Sequence, residues 1–417
     1  MTANILFSGI GCQERGFREV FDVKVLNTSE INKEAVLSYA AVHCGLTNEV
    51  IDNYNEYPSL EEMAQHLTNL NLGYIPEKNK VFNWFKLTKK PQELKKYWLA
   101  CKLSNNLGDI KNIKELPYAD LWTCSFPCTD ISTAGKMKGL AAGSDTRSSL
   151  LWETIRLLKL SKEKGSLPKY ILTENVKNLV SKQFIDNFNN LIDVFKDLGF
   201  NTYWQILNGK DCGVPQNRER VFIVCIRENI DTGKFSFPKP FDNGIRLKDI
   251  LDENVDDKYY LSERVQKKFK FINENNININ TKLSHSEWKQ QMYERYVRDA
   301  DGEISGVTTN RSQMFGYNPP TKGISKCIKA ESHDAGVVEN YRVRKLTPKE
   351  CWRLMGFNFD DYNKAKLMGI ADTHLYKQAG NGIITNCCSL IAEHLYKSQY
   401  NNDYICTDEN FTIPQVE

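Results

Sequence analysis

Short apolar, β-branched or aromatic runs recur along the first half of the chain, at residues 4–7, 23–26, 120–124, 170–172, 203–207 and 221–226. Runs of this length between polar or glycine-containing segments predict buried strands. Helical patterns lie between them, clearest at 149–160 and 188–198, the second stopped by Gly199. Such alternation predicts an α/β fold whose mostly parallel sheet is covered on both faces. The pattern breaks after Arg227. Residues 238–321 turn polar and irregular, 273–280 are nearly low-complexity, and Pro319-Pro320 closes the stretch, as expected of a second domain or large insertion. Helical signal returns at Thr347-Pro348-Lys349-Glu350, a capping box with proline at the first helical position, and Gly356 marks the stop. A last helix is expected over 383–396. Residues 44–106, which separate the second strand from the next recognisable element, read as a helical insertion.

The chain has 417 residues, 41% hydrophobic and 26% charged, enough for two domains and a sizeable core. It contains no apolar stretch long enough for a bilayer and no signal-peptide pattern at its start. Most of the twelve cysteines, such as Cys225, Cys387 and Cys388, lie in apolar runs; they read as reduced thiols of a cytoplasmic protein. A formal charge of +3 does not by itself imply a nucleic-acid partner. Lysines cluster among Trp84, Phe85, Tyr97 and Trp98 in 78–102, a stretch read as a solvated amphipathic helix pair rather than a DNA-contact surface.

The candidate chemistry begins at Phe126-Pro127-Cys128, where an apolar run ends and a polar loop opens, one way to present a nucleophile. Further along stand Thr173-Glu174-Asn175-Val176, Arg218-Glu219-Arg220 and Gln378-Ala379-Gly380-Asn381-Gly382. Near the start, Phe7-Ser8-Gly9-Ile10-Gly11 ends a strand and opens a helix, but Glu14 stands where a dinucleotide fingerprint has its third glycine. A pyrophosphate cradle is therefore unsupported. Glu30, at the end of the second strand, is placed to accept hydrogen bonds from ribose hydroxyls. Ribose without pyrophosphate suits S-adenosylmethionine.

In this order the motifs resemble the DNA (cytosine-5) methyltransferase family, bacterial or phage type, over most of the chain. The resemblance implies a Rossmann-like methyltransferase large domain with a smaller target-recognition domain. The expected division is 1–240 for catalysis, with the helical insertion at 45–106, then 241–371 for recognition and hinge, and 372–417 completing the catalytic domain. It implies methyl transfer from S-adenosyl-L-methionine, with S-adenosyl-L-homocysteine as product, to carbon 5 of a cytosine flipped out of double-stranded DNA. The implied catalytic set is Cys128, Glu174, Arg218 and Arg220, with Arg218 supporting the loop and Arg220 touching the base. The implied cofactor set is Phe7, Gly9, Gly11, Glu30, Ile31, Asp109, Ile110, Pro127, Leu150 and Asn381. Gly135, Lys136, Lys138, Gly139 and Gly143 fall in the loop that relatives close over DNA.

This chain departs from the family pattern at Cys12-Gln13, where Gly and an aromatic are usual, and at Thr129, where glutamine is usual. Read without the resemblance, Asn175 fits a cap on the next helix. The side chains placed to read base edges are Arg295, Arg298, Asn310, Arg311, Ser312 and Gln313. A zinc deaminase fails, because His285-Ser286-Glu287 follows the Pro-Cys pair and Ile131 occupies the second cysteine position. A P-loop kinase fails for want of its glycine-lysine motif. The second reading is a tRNA cytosine-5 methyltransferase on the same fold, whose Cys-Phe-Thr tripeptide is absent. No metal is expected, no membrane partner, and a monomer.

Overall fold

The computed structural model describes residues 1–75, 78–127, 131, 147–263, 269–270, 295–298, 304–308, 323–330, 336–339 and 342–404. Cys128, Thr129, the glycines and lysines of 135–143, and Asn310 to Gln313 lie outside the described residues.

A six-stranded sheet forms the centre. Its strands are β1 (Thr2–Leu6), β2 (Lys24–Ser29), β3 (Leu121–Cys124), β4 (Tyr170–Val176), β5 (Phe200–Asn208) and β6 (Glu219–Arg227), in the order β2-β1-β3-β4-β6-β5. The first four run parallel, and β6 alone is reversed, pairing antiparallel with β4 and β5. All six expected strands are present; the last three are longer than expected, the first two are shifted by one to three residues at their ends, and β3 begins one residue later. Side chains alternate between faces along each strand. Ala3, Ile5, Leu121, Leu172 and Val224 therefore enter one buried cluster, while Leu6, Trp122, Ile171 and Ile223 enter another. Both faces are covered, which is why these strands read as unbroken apolar runs.

The helices are α1 (Cys12–Phe17), α2 (Lys33–His43), α3 (Asn48–Asn53), α4 (Leu60–Asn69), α5 (Pro91–Leu103), α6 (Leu151–Glu163), α7 (Ile185–Asp197), α8 (Pro348–Arg353), α9 (Phe359–Leu367), α10 (Asp372–Asn381) and α11 (Thr385–Tyr400). α1 packs tightly on α11. A Cβ at Gly16 would stand 2.5 Å from Cys388 Cβ and 2.6 Å from the Thr385 carbonyl, so this crossing requires glycine.

The insertion belongs to the core. Trp84 and Leu99 are fully buried in the same cluster as Ala3 and Ile5, and α5 packs on α2. Trp84, Tyr97 and Trp98 thus serve packing while Phe85 stays exposed, and lysines cover rings: Lys95 lies over Tyr57 and Lys102 over Trp98. After α5 the chain runs beside the end of β2, where Thr28 bridges to Asn106.

The C-terminal contribution to the core begins earlier than the expected boundary near Asp372. Trp352, Leu354, Met355 and Phe357 bury with the N-terminal strands, and α9 packs on α2. The capping box at α8 is present: Thr347 Oγ1 accepts from Glu350 N at 3.1 Å, and Glu350 accepts from Thr347 N at 2.6 Å. The same carboxylate also meets Arg344 through two contacts of 2.8 Å and receives Asp252 N at 2.9 Å, with both ionic side chains fully buried. Removing one partner strands the other charge in the core. Glu350→Ala is therefore expected to lower the unfolding free energy by about 3–5 kcal/mol, read by chemical denaturation. Replacing both residues with apolar ones of similar volume should recover much of that loss.

Candidate active site

The parallel strands deliver their loops to one end of the sheet. The order changes direction between β1, whose successor β2 lies on one side, and β3, on the other; such switch points form binding crevices in α/β sheets. The loops after β1 and β3 flank this crevice.

The first turn is tight. Phe7, Gly9 and Gly11 have φ of 54°, 53° and 82°, and Gly11 N closes the turn on Ser8 O at 2.8 Å. Phe7 is not glycine, so its left-handed conformation stores strain where ligand contact is expected. A Cβ at Gly9 would meet nothing within 4 Å, so this glycine borders open space. At Gly11 a Cβ would strike His43 Nε2 at 2.2 Å. That ring lies 3.0 Å from Ile10 O and bolts the turn to α2. Glu14, in place of a third glycine, is buried and binds Tyr39 Oη and Arg18 Nε.

Glu30 follows β2 directly. Its carboxylate accepts Gly9 N at 3.0 Å, Ile31 N at 2.9 Å and Asn32 N at 2.7 Å. Burial raises its pKa, and these three donors only partly offset that rise. Asn106 clamps the Glu30 backbone from the insertion side, accepting Glu30 N at 2.9 Å and donating to Glu30 O at 3.0 Å. Asp109 stands nearby, accepting Asn71 Nδ2 and Lys111 N at 3.1 Å each. Phe7 and Leu150 border one buried cluster that contains Ile110 and Phe126. Asn381, by contrast, is exposed at the end of α10.

The chemical half gathers beyond β3 and β4. Glu174 is 7% exposed, and Arg220 Nε lies 3.1 Å from its Oε1. The antiparallel register explains the pair: Glu174 sits opposite Phe222, so Arg220 reaches it diagonally along β6. Burial pushes the Glu174 carboxyl above its ordinary value, against the opposing pull of Arg220 and Arg218. Arg218 is 3% exposed and donates to Ile328 O at 3.0 Å, Gly380 O at 3.0 Å and Gly382 O at 2.7 Å. Its hydrogen bonds thus hold backbone segments together, the supporting role expected of it. Cys327 Sγ lies 3.3 Å from Arg218 Nη1; burial raises this thiol, but the two arginines outweigh it and hold its pKa down.

Pro127, the last described residue before Cys128, is half-buried. Its segment is tied on both sides: Asn175 Nδ2 donates to Phe126 O at 3.1 Å and Gln13 Nε2 to Ser125 Oγ at 2.8 Å. On the far side of Cys128, Asn178 Nδ2 donates to Ile131 O at 2.5 Å. Asn175 is therefore a loop tie, not the expected helix cap; the next helical turn, Lys177–Val180, has no side-chain cap. Sequence reasoning also missed Gln13, Asn106 and Cys327. The departure from family pattern at position 13 was the one signal available.

A family model described as C-5 cytosine-specific DNA methylase matches residues 68–397. The type II methyltransferase M2.ScrFI of Lactococcus lactis subsp. cremoris is 36% identical over 397 residues, spanning 94% of this chain and 98% of that protein. The orphan methyltransferase M.SssI of Spiroplasma monobiae is 32% identical over 370 residues, spanning 85% and 86%. Among solved structures, the S. pombe Dnmt2 methyltransferase matches with a TM-score of 0.52 at 15% identity, over 95% of this chain and 98% of that one, a likeness of fold. The chain belongs to the C-5 cytosine-specific DNA methylase family, an enzyme family built on a Rossmann-like α/β fold.

The raised Glu174 carboxyl has a sign that can be measured. A carboxyl whose folded pKa exceeds its unfolded value adds stability at low pH, and loses it as pH rises through the folded value. Glu174→Gln stays neutral throughout. At about pH 7 it should melt no lower than the native enzyme, and any advantage should shrink as pH falls toward about 4. A thermal melting series across that range reads both.

Proposed function

We propose that this enzyme methylates carbon 5 of cytosine in a specific double-stranded DNA sequence, with S-adenosylmethionine as donor and a covalent adduct of Cys128 at carbon 6. The observation that carries the reading is the buried Glu174, paired with the half-buried Arg220, beside the tied loop that leads into Cys128.

The crevice suits the cofactor. Gly9 borders open space, Glu30 offers lone pairs at the strand end, and Phe7, Ile110 and Leu150 supply apolar borders. Glu30 would take the ribose hydroxyls, Asp109 the adenine amino group, and Phe7 the methionine portion, with Gly11, Ile31, Pro127 and Asn381 around them. When bound, the cofactor supplies an electrophilic methyl group on a sulfonium sulfur.

The protein's work is to make carbon 5 a nucleophile. The Cys128 thiolate adds at carbon 6, and the displaced electrons are taken up as Glu174 delivers a proton to N3. A carboxyl held above its ordinary pKa is suited to that delivery. Arg220 holds Glu174 and the cytosine carbonyl, while Arg218 positions the loop. After transfer, the carbon 5 proton passes to water, the thiolate departs from carbon 6 and N3 returns its proton to the Glu174 carboxylate, which restores the aromatic ring. Ring faces are closed off in a stacked duplex, so the base must be extruded. The loop around Lys136 and Lys138 would close over the DNA, and 241–371 would serve as recognition domain and hinge, with Arg295 and Arg298 on the strand Arg295–Arg298 reading bases while α8 and α9 pack on the catalytic core. Residues 1–240 with the C-terminal segment form the catalytic side of this division. The enzyme acts as a cytoplasmic monomer.

Cys128→Ser should retain DNA and cofactor binding but transfer no methyl group, because an alcohol is far weaker than a thiolate at neutral pH. DNA carrying 5-fluorocytosine should trap the native enzyme in a denaturant-resistant adduct, since fluorine cannot leave as a proton does; native enzyme without that adduct would sink the covalent mechanism. Glu30→Ala should weaken cofactor binding by about 1.5–3 kcal/mol for each charge-assisted hydrogen bond lost, with DNA affinity unchanged. Calorimetry that found native cofactor affinity in a folded variant would reduce Glu30 to a brace for the first turn.

A further inference from the structure

The loop approaching Cys128 is held by a side chain from the opposite wall of the crevice. Gln13 is the second residue of α1, just after the turn of Phe7 to Gly11, and is 2% exposed. Its amide donates to Ser125 Oγ at 2.8 Å, and Ser125 stands three residues before Cys128. Its neighbour Cys12 faces the C-terminal segment, where a Cβ at Gly382 would come within 3.1 Å of Cys12 Sγ. Cys12 and Gln13, neighbours that both depart from the family pattern, thus pack against two different walls of the site. A buried amide strongly prefers a partner, and here that partner is a loop hydroxyl rather than the helix itself.

We infer that Gln13, acting through Ser125, is a positioning residue for the segment that carries Cys128, and that it couples this segment to the cofactor turn. Glycine with an aromatic at these positions would offer no such donor. The inference rests on the reading of Cys128 as nucleophile.

The experiment uses the full-length enzyme and DNA containing its methylation site, located by methylation-sensitive sequencing. Gln13→Met keeps the length of the side chain without the donor, Ser125→Ala removes the acceptor, and Ser125→Thr keeps a hydroxyl. Gln13→Met and Ser125→Ala should each lower kcat, and the rate of adduct formation with 5-fluorocytosine DNA, by about tenfold. The KM for S-adenosylmethionine should stay within about twofold, because positioning acts on the reacting step. The double variant should be no slower than either single one, since both remove the same bond, and Ser125→Thr should recover most of the loss. A native adduct rate in Ser125→Ala, or losses that multiply in the double variant, would overturn the inference. Failure of the native enzyme to form any adduct would instead overturn the covalent reading. Should Gln13→Met not fold, the Ser125 pair decides alone, alanine slow and threonine fast.

Discussion

Burying a guanidinium obliges the surrounding chain to supply acceptors in fixed positions, and at Arg218 the fold supplies them to both Nη nitrogens while Nε stays without a hydrogen-bond partner among the described residues. Its donors reach Ile328, Gly380 and Gly382 carbonyls, which lie 110, 162 and 164 residues away along the chain. The arginine precedes β6, so the segment before α11 is fixed against the edge of the site only when β6 is in its register. Gly380 permits this closeness, since a Cβ there would fall 2.1 Å from the Lys329 backbone. The same segment then reaches Cys12, whose thiol burial pushes up to about 12, leaving it an inert packing group. One buried cation thus draws the last helices, the 327–330 stretch and the cofactor turn around a common centre.

What was legible beforehand follows from how local each signal is. Strands buried on both faces declare themselves as apolar runs, and the capping box at Thr347 to Glu350 lies within four residues, so both could be read directly. The Asn106 clamp on Glu30 joins residues 76 apart, and the Gln13 tie to Ser125 joins residues 112 apart. Pairings of that span leave no periodicity in the sequence. The Arg344–Glu350 pair is a different case. It spans six residues, but Glu350 already had a role in the capping box, and nothing in the pattern announces that it also serves Arg344 and Asp252. The insertion looked peripheral for a related reason: its tryptophans sit among lysines, and only the tertiary structure reveals that the rings face the core while the lysines cover them.

Where the sequence departs from its family pattern, the structure supplies local compensation. Glu14, which stands where a dinucleotide fingerprint rather than this family has a glycine, is likewise provided for, since Tyr39 and Arg18 satisfy its carboxylate beneath the turn. Cys12 and Gln13 fill places held by smaller or apolar groups in relatives, and each has a wall to meet. Such residues are affordable only where the neighbouring chain completes their contacts, so a departure and its partner have to be considered together.

The balance at Glu174 follows from the same division of labour. Two arginines lie close to this carboxyl, and two free cations would hold it firmly ionised. Arg218 has committed its two Nη nitrogens to carbonyls and a thiol, and no hydrogen bond joins it to Glu174, so it acts there through its field, while Arg220 makes the close contact at 3.1 Å. Burial then outweighs both, and the carboxyl ends above its ordinary range rather than below it. The geometry that fastens the C-terminal segment is therefore also what keeps Glu174 able to hold a proton. A substitution that freed the Arg218 guanidinium to turn toward Glu174 would favour the carboxylate and weaken proton delivery to the base, even with every group that touches the base still in place.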